Sequence, residues 1–349
     1  MIDRSGGIKL NESVARFAAA TAALIATLSL AACGEKEERP GAGEPVAFDL
    51  ALDYYVNPDH AGIYQAIEGG TFEEAGLDVT PRVPSDPAAP IKLVAADRVD
   101  LAISYEPEVL IARDQGLPVV AVAALVPSPL TSLISLPDAG IRDPSDLRGK
   151  TLATAGIPYQ EAFLGAILRQ ERIDRSEVKT QNVGLGLLPA VLSGRADAML
   201  GGFRNIEGVD LAERGENPIV LPVDKLGIPT YDELVLVANE DRIAEDPEAI
   251  RLFIAALERG TQDAVEDPEA ATKAVLAAGD GLDPKLTAAE IEATLDLLLP
   301  KRGKLPFGYM DAGEWDEFGG FLTDEGVLES RPDASLALTN DLLPGEVPE

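Results

Sequence analysis

From Phe48 onward, short apolar runs alternate with stretches of helical period. "AFDLALDYY" reads as a strand. The next segment, Ala61 to Ala75, sets Ile63, Ala66, Ile67 and Phe72 at helical spacing, which predicts one helix with Asp59 at its N-cap and Gly76 at its end. Strand "LDVTPRV", helix "APIKLVAADR", strand "VDLAISYEP", helix "EVLIARDQG" and strands "PVVAVAALV" and "LTSLISLP" follow. "DPSDLRGK" forms a turn and short helix leading into the strand "TLATAG". The strand "ELVLVAN" comes late, and helical patterns dominate from Pro247 to Leu299. Alternating units of this kind predict an α/β protein whose sheets are mostly parallel, with crossover helices.

One pattern occurs twice. "IKLVAADRVDLAISYEP" and "LLPAVLSGRADAMLGGFRN" both run helix, basic residue, small residue and Asp, apolar strand, then a polar and aromatic loop. Any two βα units look alike to a degree. Here, however, the loops Ser104–Pro107 and Gly201–Asn205 fall at the carboxyl ends of strands in two separate sheets, where open α/β sheets bind ligands. Two equivalent loops from two lobes predict a cleft. The late strand returns the chain to the first lobe, with crossings expected near Ser132–Pro137 and Thr230–Val235. Two lobes, two crossings and a cleft describe a hinge-closing solute receptor. The expected layout is residues 47–135 and 233–349 for the first lobe and 136–232 for the second.

Composition adds direction. The chain has 349 residues, 46% hydrophobic and 26% charged, with a formal charge of −31. It is globular, and its sign makes nucleic acid a poor partner. A solvated acidic surface explains the charge without a cationic ligand. Residues 1–32 read as an export signal, with basic Arg4, Lys9 and Arg16 before the apolar run Phe17 to Leu30. "LAAC" ends that run at Cys33, the chain's one cysteine. Small residues before such a cysteine resemble a bacterial lipobox, which implies lipid on Cys33. The alternative, an ordinary signal peptide with an incidental cysteine, leaves a free thiol on an exported protein. Residues 33–46, rich in charge, Gly and Pro, then form a flexible tether.

The order of "LDYYVNPDHAGIYQAIEGGTFEEAGLDV", "VDLAISYEPEVLIARDQGLPV", "DPSDLRGKTLA", "ADAMLGGFRNIEG" and "GIPTYDELVLVANED" closely resembles the thiamine-pyrimidine-precursor family. Its members are substrate-binding lipoproteins of ABC importers and the related fungal pyrimidine synthase. The resemblance runs from about residue 50 to about residue 260. "SYEP" and "YDELV" are fairly specific to it, whereas "GLDV" and "DLRGK" occur across the type II periplasmic-binding-protein-like fold. It implies two lobes with mixed, mostly parallel sheets, a formylaminopyrimidine or hydroxymethylpyrimidine ligand, no cofactor, and permease and ATPase partners for a membrane-anchored monomer. The family's Asp-Trp-x-Pro-Asn loop reads Asp53-Tyr54-Tyr55-Val56-Asn57 here. The aromatic face survives, though it is smaller.

A methyl-amino-pyrimidine is flat and uncharged near neutrality, so its pocket needs ring faces and a few aimed polar groups. Tyr54, Tyr105 and Tyr231 are the candidate faces. Glu233, with Glu106 as second choice, is the candidate that pairs with the ring edge, accepting from the exocyclic amine. Asn57 and His60 are the candidates for the ligand's arm, and Arg204 for a carboxyl or phosphate. Each has a structural alternative: Glu233 as an exposed residue at the hinge, Glu106 as a helix cap, the tyrosines as core. His60 is the one histidine in the chain. That excludes a multi-histidine metal site and leaves a binding role or a buried hydrogen-bonded one. The competing class is an enzyme, a pyrimidine synthase consuming His60. It would need a placed lysine for pyridoxal phosphate and a way to recruit iron, and the export signal and missing cysteine-rich motif argue against it. A third reading is a receptor of the same fold for another flat solute such as riboflavin.

Overall fold

The computed structural model describes residues 45–299 and 305–346. The export signal, Cys33 and most of the tether lie outside the described residues. Val46, placed in the tether by composition, instead opens the first strand.

The first strands are β1 (Val46–Ala51), β2 (Leu77–Arg82), β3 (Leu101–Ser104) and β4 (Val119–Val126). Then come β5 (Thr131–Ser135), β6 (Thr151–Thr154), β7 (Lys179–Asn182), β8 (Ala198–Phe203) and β9 (Ile219–Pro222), and last β10 (Leu234–Asn239). They form two five-stranded sheets, ordered β2-β1-β3-β10-β4 and β7-β6-β8-β5-β9. The late strand β10 runs antiparallel between β3 and β4. All six of its residues are buried, which is why "LVLVAN" lacks the alternation of a one-sided strand.

Two expectations shift. The expected layout places "LTSLISLP" in the first lobe, but β5 pairs with β8 and β9 in the second sheet. The chain therefore crosses in the segment 127–130, earlier than Ser132–Pro137. Periodicity identifies a strand but not which sheet accepts it. The single helix over Ala61 to Ala75 is two, Ala61–Glu68 and Thr71–Glu74. Gly70 between them has φ +75°, a left-handed conformation that ends a helix and that glycine adopts without strain.

The helix Ala312–Asp324 binds the lobes together on the hinge side. Phe318 and Phe321 place their rings 6.2 and 6.3 Å from that of Phe163 in the second lobe. Glu325, just past the helix end, pairs with Arg169 of the same lobe. Among the described residues no helix is long and apolar enough to cross a membrane.

Candidate functional site

The end of β1 runs into a short 3-10 turn, Pro58–His60. Asn57, in extended conformation, caps it by accepting from the Asp59 amide at 2.8 Å. The cap is therefore Asn57 and not Asp59, because an extended residue must precede the turn. In return His60 Nδ1 accepts from the Asn57 amide at 3.3 Å. Its other nitrogen, Nε2, then carries the proton and donates to Asp53 Oδ1 at 2.9 Å. Tyr105, at the end of β3, donates its hydroxyl to Asp53 Oδ2 at 3.0 Å. Burial, and then the neighbouring Asp53 charge, push the Tyr105 hydroxyl well above its ordinary range, so it stays a donor.

Asp53 thus stands fixed at the mouth of a cavity between the lobes. Asp53, Tyr54, Asn57 and Tyr105 line it from the first lobe, and Ala155, Ile157, Tyr159, Gly201, Phe203, Ile206 and Glu207 from the second. The lobes are shut: the rings of Tyr105 and Tyr159 lie 5.6 Å apart across the cleft. The cavity is about 20 Å³, room for water but not for an aromatic ring, so a ring enters only when the lobes part. Gly201 has φ +114°, and a Cβ there would lie 2.2 Å from Gln160 Nε2. The backbone approaches the cavity closely because no side chain stands in the way. Gln160 Nε2 and Tyr54 Oη are buried without a hydrogen-bond partner.

Glu207 faces Asp53 from the other lobe. Its Oε2 accepts from the Phe203 amide at 2.8 Å. Burial pushes its carboxyl up to about 7, with backbone donors opposing the shift. It also borders a neighbouring cavity of about 90 Å³, where Tyr55, Asp210 and Glu290 join it. The two cavities share Asn57, Ile206 and Glu207.

Five of the candidate residues lie elsewhere. His60 is fully buried, and both its ring nitrogens are used inside the first lobe, so it orients Asp53 and has no nitrogen left for a ligand. Glu233 is fully buried at the hinge. Its Oε2 accepts from the amides of Leu130 at 2.6 Å and Thr131 at 2.7 Å, and its Oε1 from Thr131 Oγ1 at 2.8 Å. Tyr231 adds its hydroxyl at 2.9 Å. This carboxylate clamps one crossing to the other and has no free edge for a ring. Tyr231 packs between Phe163, at 5.5 Å, and Phe318, at 5.0 Å. Glu106 accepts from the Asp232 amide at 2.7 Å, and burial beside Asp232 holds its carboxyl well above the usual range. Asp232 in turn accepts from Trp315 Nε1 at 2.8 Å. Arg204 turns its guanidinium to the Pro129 carbonyl, again at the crossing.

Sequence reasoning missed Asp53, Tyr159 and Glu207. Asp53 was visible as the residue before the tyrosine pair at a strand end. Glu207 was visible as the first carboxylate after "GGFRN". Tyr159 carried the weaker signal of an aromatic opening the helix after "TAGIP". Among the described residues no grouping of three His, Cys, Asp or Glu side chains could hold a metal ion.

The two sheets, the two crossings and the inter-lobe cavity define a two-lobed protein with the periplasmic-binding-protein-like fold. Solved structures agree on the fold. The alkanesulfonate-binding protein of Xanthomonas axonopodis pv. citri superposes with a TM-score of 0.67 at 15% identity, over 85% of this chain and 99% of that one. A Candida albicans protein described as having the generic periplasmic binding protein fold gives 0.63 at 17% identity, over 86% and 98%. Within that class the chain belongs to the NMT1/THI5-like family, whose pattern matches residues 57–271. A formylaminopyrimidine-binding protein of Halalkalibacterium halodurans is 37% identical over 312 residues, which are 88% of this chain and 93% of that protein. A 4-amino-5-hydroxymethyl-2-methylpyrimidine phosphate synthase of Legionella pneumophila is 25% identical over 298 residues, 84% and 92% of the two chains.

Proposed function

We propose that this chain is the extracytoplasmic receptor of an ABC importer and shuts on a thiamine-pyrimidine precursor, formylaminopyrimidine or hydroxymethylpyrimidine. The observation that carries the reading is Asp53, held by His60 and Tyr105 at the inter-lobe cavity and faced by Glu207 from the opposite lobe. An aminopyrimidine presents an amine that donates and a ring nitrogen that accepts. Asp53 supplies the acceptor for the amine. Glu207, with its carboxyl pushed up to about 7, keeps a proton in part of the molecules at neutral pH and donates it to the ring nitrogen. Tyr54, Tyr105 and Tyr159 provide the ring faces and Asn57 a contact to the arm. Glu207 takes the role that sequence assigned to Glu233 or Glu106.

The similarity to a protein named for binding formylaminopyrimidine supports this ligand class over a sulfonate. It also supports a receptor over an enzyme, as does the engagement of both His60 nitrogens, which leaves the imidazole no role as a reactant. In this reading lipid on Cys33 anchors a monomer to the membrane. The permease and its ATPase recognise the shut form through both lobes at once, so that a loaded receptor is the one presented.

Thermal-shift measurements with formylaminopyrimidine, hydroxymethylpyrimidine, riboflavin, nitrate and taurine test the ligand class. Stabilisation by either pyrimidine is expected. Stabilisation by none of them, or by an anion alone, rejects the assignment.

A further inference from the structure

Asn205, in the loop after β8, reaches across the closed interface. Its Nδ2 donates to Asp59 Oδ1 of the first lobe at 2.7 Å and to Thr294 Oγ1 at 2.8 Å. Asp59 is 4% exposed, Asn205 2% and Thr294 0%. Yet Asp59 Oδ2 and Asn205 Oδ1 are both buried without a hydrogen-bond partner. Asp59 also borders a void of about 10 Å³ walled mostly by apolar side chains, and the one hydroxyl there, of Thr261, already donates to the Leu257 carbonyl at 2.9 Å. An ionised carboxylate in such a place lacks the several donors that stabilise its charge. A proton on Oδ2 converts one of the two orphaned oxygens into a donor, and Asn205 Oδ1 is the orphaned acceptor on the same pair.

We propose that lobe closure takes up a proton at Asp59, making the Asp59–Asn205 contact a latch that holds on the acid side and loosens as the pH rises.

The charged groups around the latch point the same way. Asp53 in the first lobe, Glu207 in the second and Glu233 at the hinge all disfavour a negative charge on Asp59, as does Glu290 from the C-terminal helices. His60, next in sequence, has both ring nitrogens engaged, and Arg204, beside Asn205, is turned to the Pro129 carbonyl. Burial first, and these carboxylates second, push Asp59 up to about 8, while the Asn205 hydrogen bond opposes the shift. Parting the lobes withdraws Asn205 and opens that side of Asp59 to water, which moves its carboxyl down toward the ordinary range near 4. The shut form therefore binds more protons than the open one between about pH 4 and about pH 8. Closure is full at the lower end and lost as the pH climbs through that window.

The latch rests on the hinge-closing reading but not on the identity of the solute. Small-angle scattering of the full chain without solute, from about pH 5.5 to about pH 9, is expected to show expansion as the pH rises. Asp59→Asn, whose amide donates to Asn205 Oδ1 without needing a proton, is expected to stay compact throughout. Should that variant not fold, Asn205→Ala, lacking the donor, is expected to be expanded even at the acid end. Calorimetry with hydroxymethylpyrimidine in two buffers of different ionisation heat is expected to show proton uptake. The accompanying Kd is expected to rise up to about tenfold per pH unit, and both effects should shrink in Asp59→Asn to the part carried by Glu207. Wild-type compactness independent of pH, or an Asp59→Asn variant that tracks wild type, overturns the latch. Absence of any binding heat at every pH would instead sink the ligand assignment, while scattering still decides the latch.

Discussion

Asp53 at the rim of the first lobe and Glu233 at the hinge are both buried carboxylates that accept a tyrosine hydroxyl, from Tyr105 at 3.0 Å and from Tyr231 at 2.9 Å. They differ in how completely the protein satisfies them. Glu233 collects further donors from Leu130 and Thr131. Asp53 receives one hydrogen bond on each oxygen, and its remaining lone pairs border a cavity. A saturated carboxylate holds the protein together, whereas an oriented but unsaturated one is prepared to hold something else. A carboxylate and a tyrosine in the same pairing thus separate into scaffold and candidate site according to the donors that reach them.

The comparison is most strained by Glu233→Ala. It leaves the buried Leu130 and Thr131 amides without an acceptor and should lower unfolding stability by roughly 3–5 kcal/mol in denaturant titration. A loss within experimental error would mean that the clamp contributes nothing. Next comes Asp53→Asn, expected to weaken pyrimidine binding by about 2–3 kcal/mol, roughly 30- to 150-fold in Kd, with a smaller loss of stability. If stability falls more than affinity, rim and hinge are the same kind of site and the distinction fails.

Glu207 sharpens the comparison through pH. Its folded-state carboxyl lies near 7, above the ordinary value of 4.5, because burial penalises its ionised form. The unfolded chain therefore binds fewer protons in that interval. The contribution of Glu207 to stability is full below about pH 4.5 and falls by about 1 kcal/mol per unit as the pH rises to about 7. Glu207→Gln should make that slope shallower in thermal melts across the interval, with Asp59 carrying part of what remains, and an unaltered slope would assign the titration to other groups. The smallest effect is expected of Tyr54→Phe, which removes a buried hydroxyl with no partner. Stability should hold or rise by a few tenths of a kcal/mol, while pyrimidine affinity falls by up to about 1 kcal/mol. Equal affinity would show that the hydroxyl does not meet the ligand.

Much of the architecture could be read from the chain because local rules and global fold agree there. The βα alternation, the late strand "ELVLVAN" and the helical C-terminal part all follow from period and length. The crossing was misplaced because "LTSLISLP" is equally apolar whichever sheet receives it. At the candidate site, strand-end position was enough to bring Tyr54, Asn57 and Tyr105 to one inter-lobe cavity. Glu233 was not. Its partners Leu130 and Thr131 lie about a hundred residues away, and nothing local announces that their amides converge on it. His60 failed for the opposite reason. Both its partners are close in sequence, but their geometry depends on the turn that Asn57 caps.

The chain has a single tryptophan, Trp315, and its indole is tied to Asp232 directly beside the Glu233 clamp. Its emission is therefore a built-in gauge of hinge rotation, and the indole does not line the inter-lobe cavity. Stopped-flow fluorescence on the unlabelled protein can time the closing step separately from the arrival of the solute.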